Sequence, residues 1–84
     1  MYEIVKAEKL TPDVIKLEIS APHIAKKARA GMFIMVTPDE HGERIPLTMA
    51  DFSPEKGTVT IAALEVGKTT KQLGKMKAGD NVFS

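Results

Sequence analysis

Turn chemistry recurs along this chain at intervals that leave room only for short strands joined antiparallel. Thr11-Pro12-Asp13, Pro38-Asp39-Glu40-His41-Gly42 and Ser53-Pro54-Glu55-Lys56-Gly57 each interrupt an apolar stretch. Such residues turn a chain because proline pre-sets φ, glycine frees it, and Asp or Ser bonds back to nearby backbone. Between the first two turns lies Val14 to Ser20, where Ile15, Leu17 and Ile19 alternate with Lys16, Glu18 and Ser20. That period of two marks a strand with one face buried and one in water.

The other pieces follow the same logic. Tyr2 to Leu10 opens the chain with a mixed apolar and charged pattern, and in Thr58 to Leu64 the residues Val59, Ile61 and Ala63 share one face. Met32-Phe33-Ile34-Met35-Val36 is apolar on both faces, which predicts an interior strand covered above and below. Pro22 ends the second strand, and His23 to Arg29 supplies a turn or two of helix formers as a connector before Gly31. After Gly67 the period changes. Leu73 and Met76 fall three apart, Thr69 with Gln72 fits a capping box, and Lys75 and Lys77 stand where cations complement a helix dipole. Gly79-Asp80 then turns into Asn81-Val82-Phe83-Ser84, a strand cut short. The predicted fold is all-β: one small antiparallel Greek-key β-barrel over residues 1–84, about six strands with the last truncated, and one short α-helix. Met32, Met35, Met49 and Met76 are assigned to the core as gap fillers.

Composition removes several classes of function. A chain of 84 residues makes at most one domain, and a domain of that size buries roughly 60–65% of the surface its unfolded chain exposes. A net charge of +1 with cations scattered among carboxylates, one tyrosine and three phenylalanines gives neither a basic face nor a stacking platform, so no nucleic acid is expected. Absence of cysteine excludes disulfides and thiolate chemistry within the chain and makes a reducing cytoplasm the expected location. The longest apolar run, Met32 to Val36, cannot span a bilayer, and the first residues lack the order of a signal peptide. Sparse Asn and Gln beside many Lys and Glu hint at a thermophilic source. His23 and His41 have no second ligand at metal spacing, and Asp39, Glu40 and Glu43 form a solvated hairpin rim, so neither a metal nor a catalytic side chain is expected.

Two stretches carry binding chemistry. Arg44-Ile45-Pro46-Leu47-Thr48, within a strand from Glu43 to Asp51, includes a proline, which a ladder tolerates only at an edge, a strand start or a bulge. An open strand offering Arg44, Leu47 and Thr48 can meet a planar ligand with a phosphate tail; it equally reads as an edge protected from aggregation by proline and charge. The second stretch, Gly67-Lys68-Thr69-Thr70, resembles the end of a nucleotide-binding P-loop, yet the first glycine of that motif falls at Ala62 inside a strand. A more general device remains: a glycine that lets a ligand approach, then a helix start whose free N–H groups favour an anion. A plain cap reads as well. The hairpin at Ser53 to Gly57 sets the end of the Thr58 strand beside the start of the Arg44 strand, which would bring both stretches to one ligand.

Four stretches in chain order, Ala30-Gly31-Met32-Phe33, Arg44 to Thr48, Gly67 to Leu73 and Lys77-Ala78-Gly79-Asp80, resemble the flavin-binding domain of the ferredoxin–NADP reductase superfamily. Within it the likeness is greatest to the ferredoxin–NADP reductase alpha (sulfide dehydrogenase) type and the electron-transfer subunit of dihydroorotate dehydrogenase. The resemblance implies FAD, with Arg44 and the N–H groups of Thr69 and Thr70 on the pyrophosphate beside Gly67. It places the isoalloxazine on Leu47 beside Pro46, Thr48 near N5, and the backbone from Ala62 to Leu64 along the ring edge. It further implies a nicotinamide-binding domain following this one, NAD(P)H, and an iron–sulfur or larger flavoprotein partner subunit, so the isolated chain would be an inactive part of an oxidoreductase. The sequence departs from the family at Ile45 and Leu47, which take the places of an arginine and an aromatic ring. Arg44 stands one residue early and reaches a phosphate only through a local irregularity at Pro46. A barrel that serves only for docking or assembly, with a vestigial ligand site, is the alternative, and the short last strand leaves an edge for a homodimer.

Overall fold

The alternating run Val14 to Ser20 becomes the backbone of the sheet. A computed structural model describes residues 1–29 and 31–84; Ala30, which begins the Ala30-Gly31-Met32-Phe33 stretch, lies outside the described residues. The strands are β1 (Tyr2–Thr11), β2 (Val14–Ser20), β3 (Phe33–Val36), β4 (Ile45–Ser53), β5 (Thr58–Leu64) and β6 (Asn81–Val82), with helices α1 (Pro22–Lys27) and α2 (Lys68–Leu73). They form one antiparallel sheet in the order β3-β4-β5-β2-β1-β6. Three consecutive hairpin-linked strands with β2 returning beside β5 is a Greek key. The two ends of the sheet meet where Thr37 and Phe83 exchange a pair of backbone hydrogen bonds, each 2.8 Å. The sheet curls into a half-barrel whose ends touch at that bridge.

The core lies where the inward residues of β2 and β5 meet. Ile15, Leu17, Ile19, Val59 and Ile61 are buried there with Ile4, Val36, Leu73 and Val82. Each such side chain contributes about 1.5–3 kcal/mol by leaving water. In β1 the register shifts between Ile4 and Lys6 and between Lys9 and Thr11. The residues at these irregularities, Val5 and Leu10, are turned out to solvent despite being apolar. At the β4–β5 turn Gly57 adopts φ +69°, and its carbonyl accepts the Ala21 N–H at 2.8 Å, which ties the start of α1 to the hairpin.

Three expectations need correction. β3 is not covered on both faces: Ile34 and Val36 are buried, whereas Phe33 is 61% exposed and Met35 39% exposed. It stands at one end of the sheet order, and its outward residues share a shallow groove with His23, Ile24 and Lys27. Met32 is likewise 39% exposed, so Met49 is the only one of the four methionines that is fully in the core, with Met76 packed against it. α2 begins at Lys68 with Gly67 as its N-cap, and the hydroxyl that reaches back is that of Thr70, not a Thr69–Gln72 pair.

Candidate functional site

β4 changes partner half-way along. Ile45 to Thr48 pair with Val36 to Phe33 of β3, and the stretch from Met49 to Ser53 pairs with β5, with a register shift between Met49 and Asp51. The β4–β5 ladder ends at Met49–Ile61, while Ala62 to Leu64 go on pairing with Lys16 to Val14 of β2. The two strands therefore part, and among the described residues Ala62, Ala63 and Leu64 have β2 on one side and no paired strand on the other. Pro46 suits this place. Met49 N–H donates to the Met32 carbonyl at 3.0 Å, so by antiparallel alternation Leu47 and Ile45 carry the hydrogen bonds to β3 and Pro46 carries none. Its missing N–H is on the side where the strands have separated. Thr48, at the same parity, turns its amide the same way.

A cleft of about 610 Å³ opens beside this parting. One wall is the β3–β4 turn with Asp39, His41, Gly42, Glu43 and the first strand residue, Ile45; the other is Val66 to Thr70 with Gln72. The second wall is built by a short sequence of local contacts. Glu65 N–H donates to the Asp13 carbonyl at 2.7 Å as β5 ends. The Thr70 hydroxyl then accepts from Val66 N–H (3.1 Å) and Gly67 N–H (3.0 Å) and donates to the Gly67 carbonyl (3.1 Å). This fixes the turn into α2 and uses the Thr70 side chain completely. The far end of α2 is held by Leu73, which is fully buried, and by Glu65, whose carboxylate lies against Gly74 where any Cβ would collide with it. Glu65 Oε2 is buried with no aligned hydrogen bond; its compensation is the Lys9 ammonium 3.1 Å away.

The predicted site residues divide into three groups. Gly67, Thr69 and Thr70 line the cleft. Pro46, Thr48 and Leu64 are exposed, with Leu47 and Ala62 half-buried, along the parted strands next to it and not in its lining. Arg44 is brought to neither: it is exposed just before β4, between Glu43 and Ile45, which do line the cleft. The irregularity that would redirect it lies downstream, between Met49 and Asp51, and Ile45 to Thr48 run in regular alternation. Lys68, Gln72, Val66, Asp39, His41 and Glu43 are cleft residues that the sequence reading left out of the site. Lys68 was visible inside Gly67-Lys68-Thr69-Thr70. The acidic turn could have been placed by noting that Val36–Ile45 closes its hairpin at the barrel end where β5 delivers α2.

The cleft is polar in a directional way. On the helix side stand the Lys68 ammonium and the first-turn N–H groups of α2, which no helix residue can satisfy. On the turn side stand the carboxylates of Asp39 and Glu43. A ligand that brings an anion to α2 and hydroxyl or amino donors to the carboxylates matches both walls.

No protein-family model matches the chain. It is 52% identical over 82 residues to an uncharacterised protein of the adh 3′ region of Clostridium beijerinckii, covering 98% of this chain and 28% of that protein. It is 45% identical over 83 residues to the dihydroorotate dehydrogenase B (NAD(+)) electron transfer subunit homolog of Thermotoga maritima, covering 99% of this chain and 29% of that one. The structure superposes with a TM-score of 0.95 and 43% identity on a chain from the NADH-dependent reduced ferredoxin–NADP oxidoreductase, a structure described for flavin-based electron bifurcation; all of this chain and 30% of that one are covered. The chain belongs to the ferredoxin–NADP reductase-like barrel superfamily. This reductase-like barrel thus spans less than a third of the length of the relatives it matches. Those of them named for a function are electron-transfer subunits of NAD-linked oxidoreductases.

Proposed function

We propose that this chain is the FAD-binding barrel of an electron-transfer subunit in an NAD(P)H-linked oxidoreductase. The observation that carries the reading is the parting of β4 from β5 beside a cleft whose one wall is the start of α2, in a barrel that superposes at TM-score 0.95 on a ferredoxin–NADP oxidoreductase chain. The residues present fit the group. A Cβ at Gly67 would meet nothing within 4 Å, so a phosphate has room to approach. The N–H groups of Thr69 and Thr70 and the Lys68 ammonium supply the positive side, and Asp39 and Glu43 supply acceptors for hydroxyls. Arg44 is not needed in this arrangement.

When bound, FAD supplies hydride acceptance from a nicotinamide and release of single electrons. What the chain's own residues do is bind and orient. Lys68, Thr69 and Thr70 hold the pyrophosphate, and the edge from Ala62 to Leu64 faces Pro46 to Thr48 across the space where the ring system is to lie. A nicotinamide-binding domain and an iron–sulfur or larger flavoprotein partner subunit complete the reaction in this proposal, in a reducing cytoplasm.

Titration with FAD tests it. Binding to the native state alone raises the unfolding free energy by about 2.7 kcal/mol at a ligand concentration one hundred times Kd, read as a rise in Tm together with quenched flavin fluorescence. A Tm that ignores millimolar FAD overturns the proposal and leaves the barrel as a docking or assembly module.

A further inference from the structure

We propose that Lys9 and Glu65 are positioning residues for the cleft: their ion pair at one end of the barrel fixes the rotation of α2, and so aims Lys68 and the first amides of that helix at the ligand. The ligand rests on the flavin reading; the latch itself is made of contacts within the chain. α2 has six residues, too few to hold a helix in water without tertiary support. Leu73 is its buried residue, the other five being exposed or half-buried. One apolar anchor sets the depth of a helix and leaves it free to turn about that point. The Thr70 hydroxyl ties α2 to its own leading turn at Val66 and Gly67, not to the barrel. A second attachment has to set the direction.

Glu65 makes it. Its amide is fixed by the Asp13 carbonyl, and its carboxylate lies against Gly74, the C-cap of α2. Gly74 has φ −66° and ψ −16°, a right-handed helical conformation open to any L-residue. The atoms that a Cβ there would strike first all belong to Glu65, so glycine makes room for the carboxylate and is not demanded by the backbone. The counter-charge comes from inside the sheet. Ile4, Ala7 and Lys9 of β1 stand opposite Ile19, Leu17 and Ile15 of β2, and opposed residues share a face. Lys9 therefore occupies the last inward position of β1, where the pattern calls for an apolar residue. It lines a space of about 120 Å³ with Ala7, Leu17, Leu73 and Gly74, and its ammonium reaches Glu65 Oε2 at 3.1 Å.

The two partners are unequal. The Glu65 side chain is 12% exposed and that of Lys9 52%. Loss of the ammonium would leave a buried carboxylate without a counter-charge, which is costly enough to turn it out to water and away from Gly74. Loss of the carboxylate's charge, with its shape kept, strands nothing. The lever is favourable as well. With Leu73 as the pivot, Lys68 stands about 7.5 Å away at 1.5 Å per residue, so a small turn at Gly74 becomes a larger displacement at the cleft.

Variants of the 84-residue chain test the latch through FAD titration and through exchange of the Gly74 amide, which donates to the Thr70 carbonyl at 3.0 Å. Lys9→Met keeps the stem and removes the charge; it should weaken FAD by at least about fivefold and speed Gly74 exchange by about tenfold. Adding Glu65→Gln, which keeps the shape against Gly74, should recover most of both. Gly74→Ala should weaken FAD while Tm holds, since alanine is the better helix former and only the carboxylate is displaced. A purely structural ion pair would not separate affinity from stability in this way. An unchanged Kd in Lys9→Met overturns the proposal, and so does a defect that Glu65→Gln fails to repair. If the parent chain takes up no FAD, the flavin reading fails by itself, and an unchanged Gly74 amide in Lys9→Met then overturns the latch.

Discussion

The β2–β5 half of this barrel and its β3–β4 half are built from equally apolar strands, yet they do opposite work. β2 and β5 pair without a break from Val14–Leu64 to Ser20–Thr58, and the inward residues Ile15, Leu17, Ile19, Val59 and Ile61 are all at most 3% exposed. β4 shares itself between two neighbours, shifts register at Met49–Asp51 and leaves Phe33, Met35, Leu64 and Val66 in solvent. Free energy is thereby concentrated on one side of a small barrel, and unpaired backbone with uncovered apolar surface on the other. Binding regions are drawn from such low-stability parts of a fold. The separation lets the second half be bare without unfolding the first.

The comparison breaks most visibly in the core. Leu17→Ala, at 2% exposure, is expected to cost about 3 kcal/mol within the 2–5 range of such truncations, whereas Leu47→Ala, half-buried beside the parted strands, should cost about 1 kcal/mol because water already reaches part of its side chain. Urea denaturation of both variants measures the gap. Equal costs would mean that the two halves are not differently stabilised.

Next in size is a contrast inside the cleft. Lys68→Ala should weaken FAD by about tenfold, the loss of one charge-assisted contact of about 1.4 kcal/mol, while Arg44→Ala should leave Kd within about twofold because its side chain does not line the cleft. Flavin fluorescence titration gives both. The reverse order would restore the arginine as the phosphate ligand and displace α2 from that role.

How far the fold could be read from the sequence follows from the same division. The alternation in Val14 to Ser20 and the turns at Thr11, Pro38 and Ser53 were sufficient for β2, the hairpins and an antiparallel barrel, because period and turn chemistry are local. Pro46 was informative for a local reason too, and its strand is indeed open on one side. The run Met32 to Val36 misled: a strand with two apolar faces reads as interior, but exposure depends on what lies beyond the sheet, and no local pattern carries that. Arg44 is the intermediate case. Sequence parity alone set it apart from Ile45, and its exclusion from the cleft required knowing that the bulge falls after Met49 rather than at Pro46. The start of α2 was misjudged by two residues because Thr69 and Thr70 are chemically equal candidates, and only the turn at Val66 decides which hydroxyl points back.

That cap gives a smaller test of how rigid the cleft wall is. Thr70→Val keeps the shape and removes the hydroxyl that holds Val66 and Gly67 N–H, so a loss of about 1 kcal/mol is expected, read by thermal denaturation. FAD affinity should fall with it if the ordered turn is what aims the α2 amides.

The smallest effect sharpens the comparison at β3. Phe33→Thr replaces a ring that is 61% exposed on the outer face, next to Ile34, which is 5% exposed on the inner one. Because more than half of the ring is already in water in the native state, its removal forfeits far less burial than a truncation at Ile34, and threonine keeps the strand preference of a β-branched residue. Stability should change by no more than about 0.5 kcal/mol, the usual range for surface positions, whereas Ile34→Ala should cost about 2 kcal/mol or more. The two substitutions are adjacent in sequence and differ only in the face they modify. A Phe33→Thr loss approaching that of Ile34→Ala would mean that the outer face is already covered in solution, and the bare half of the barrel would then have to be redrawn as an interface.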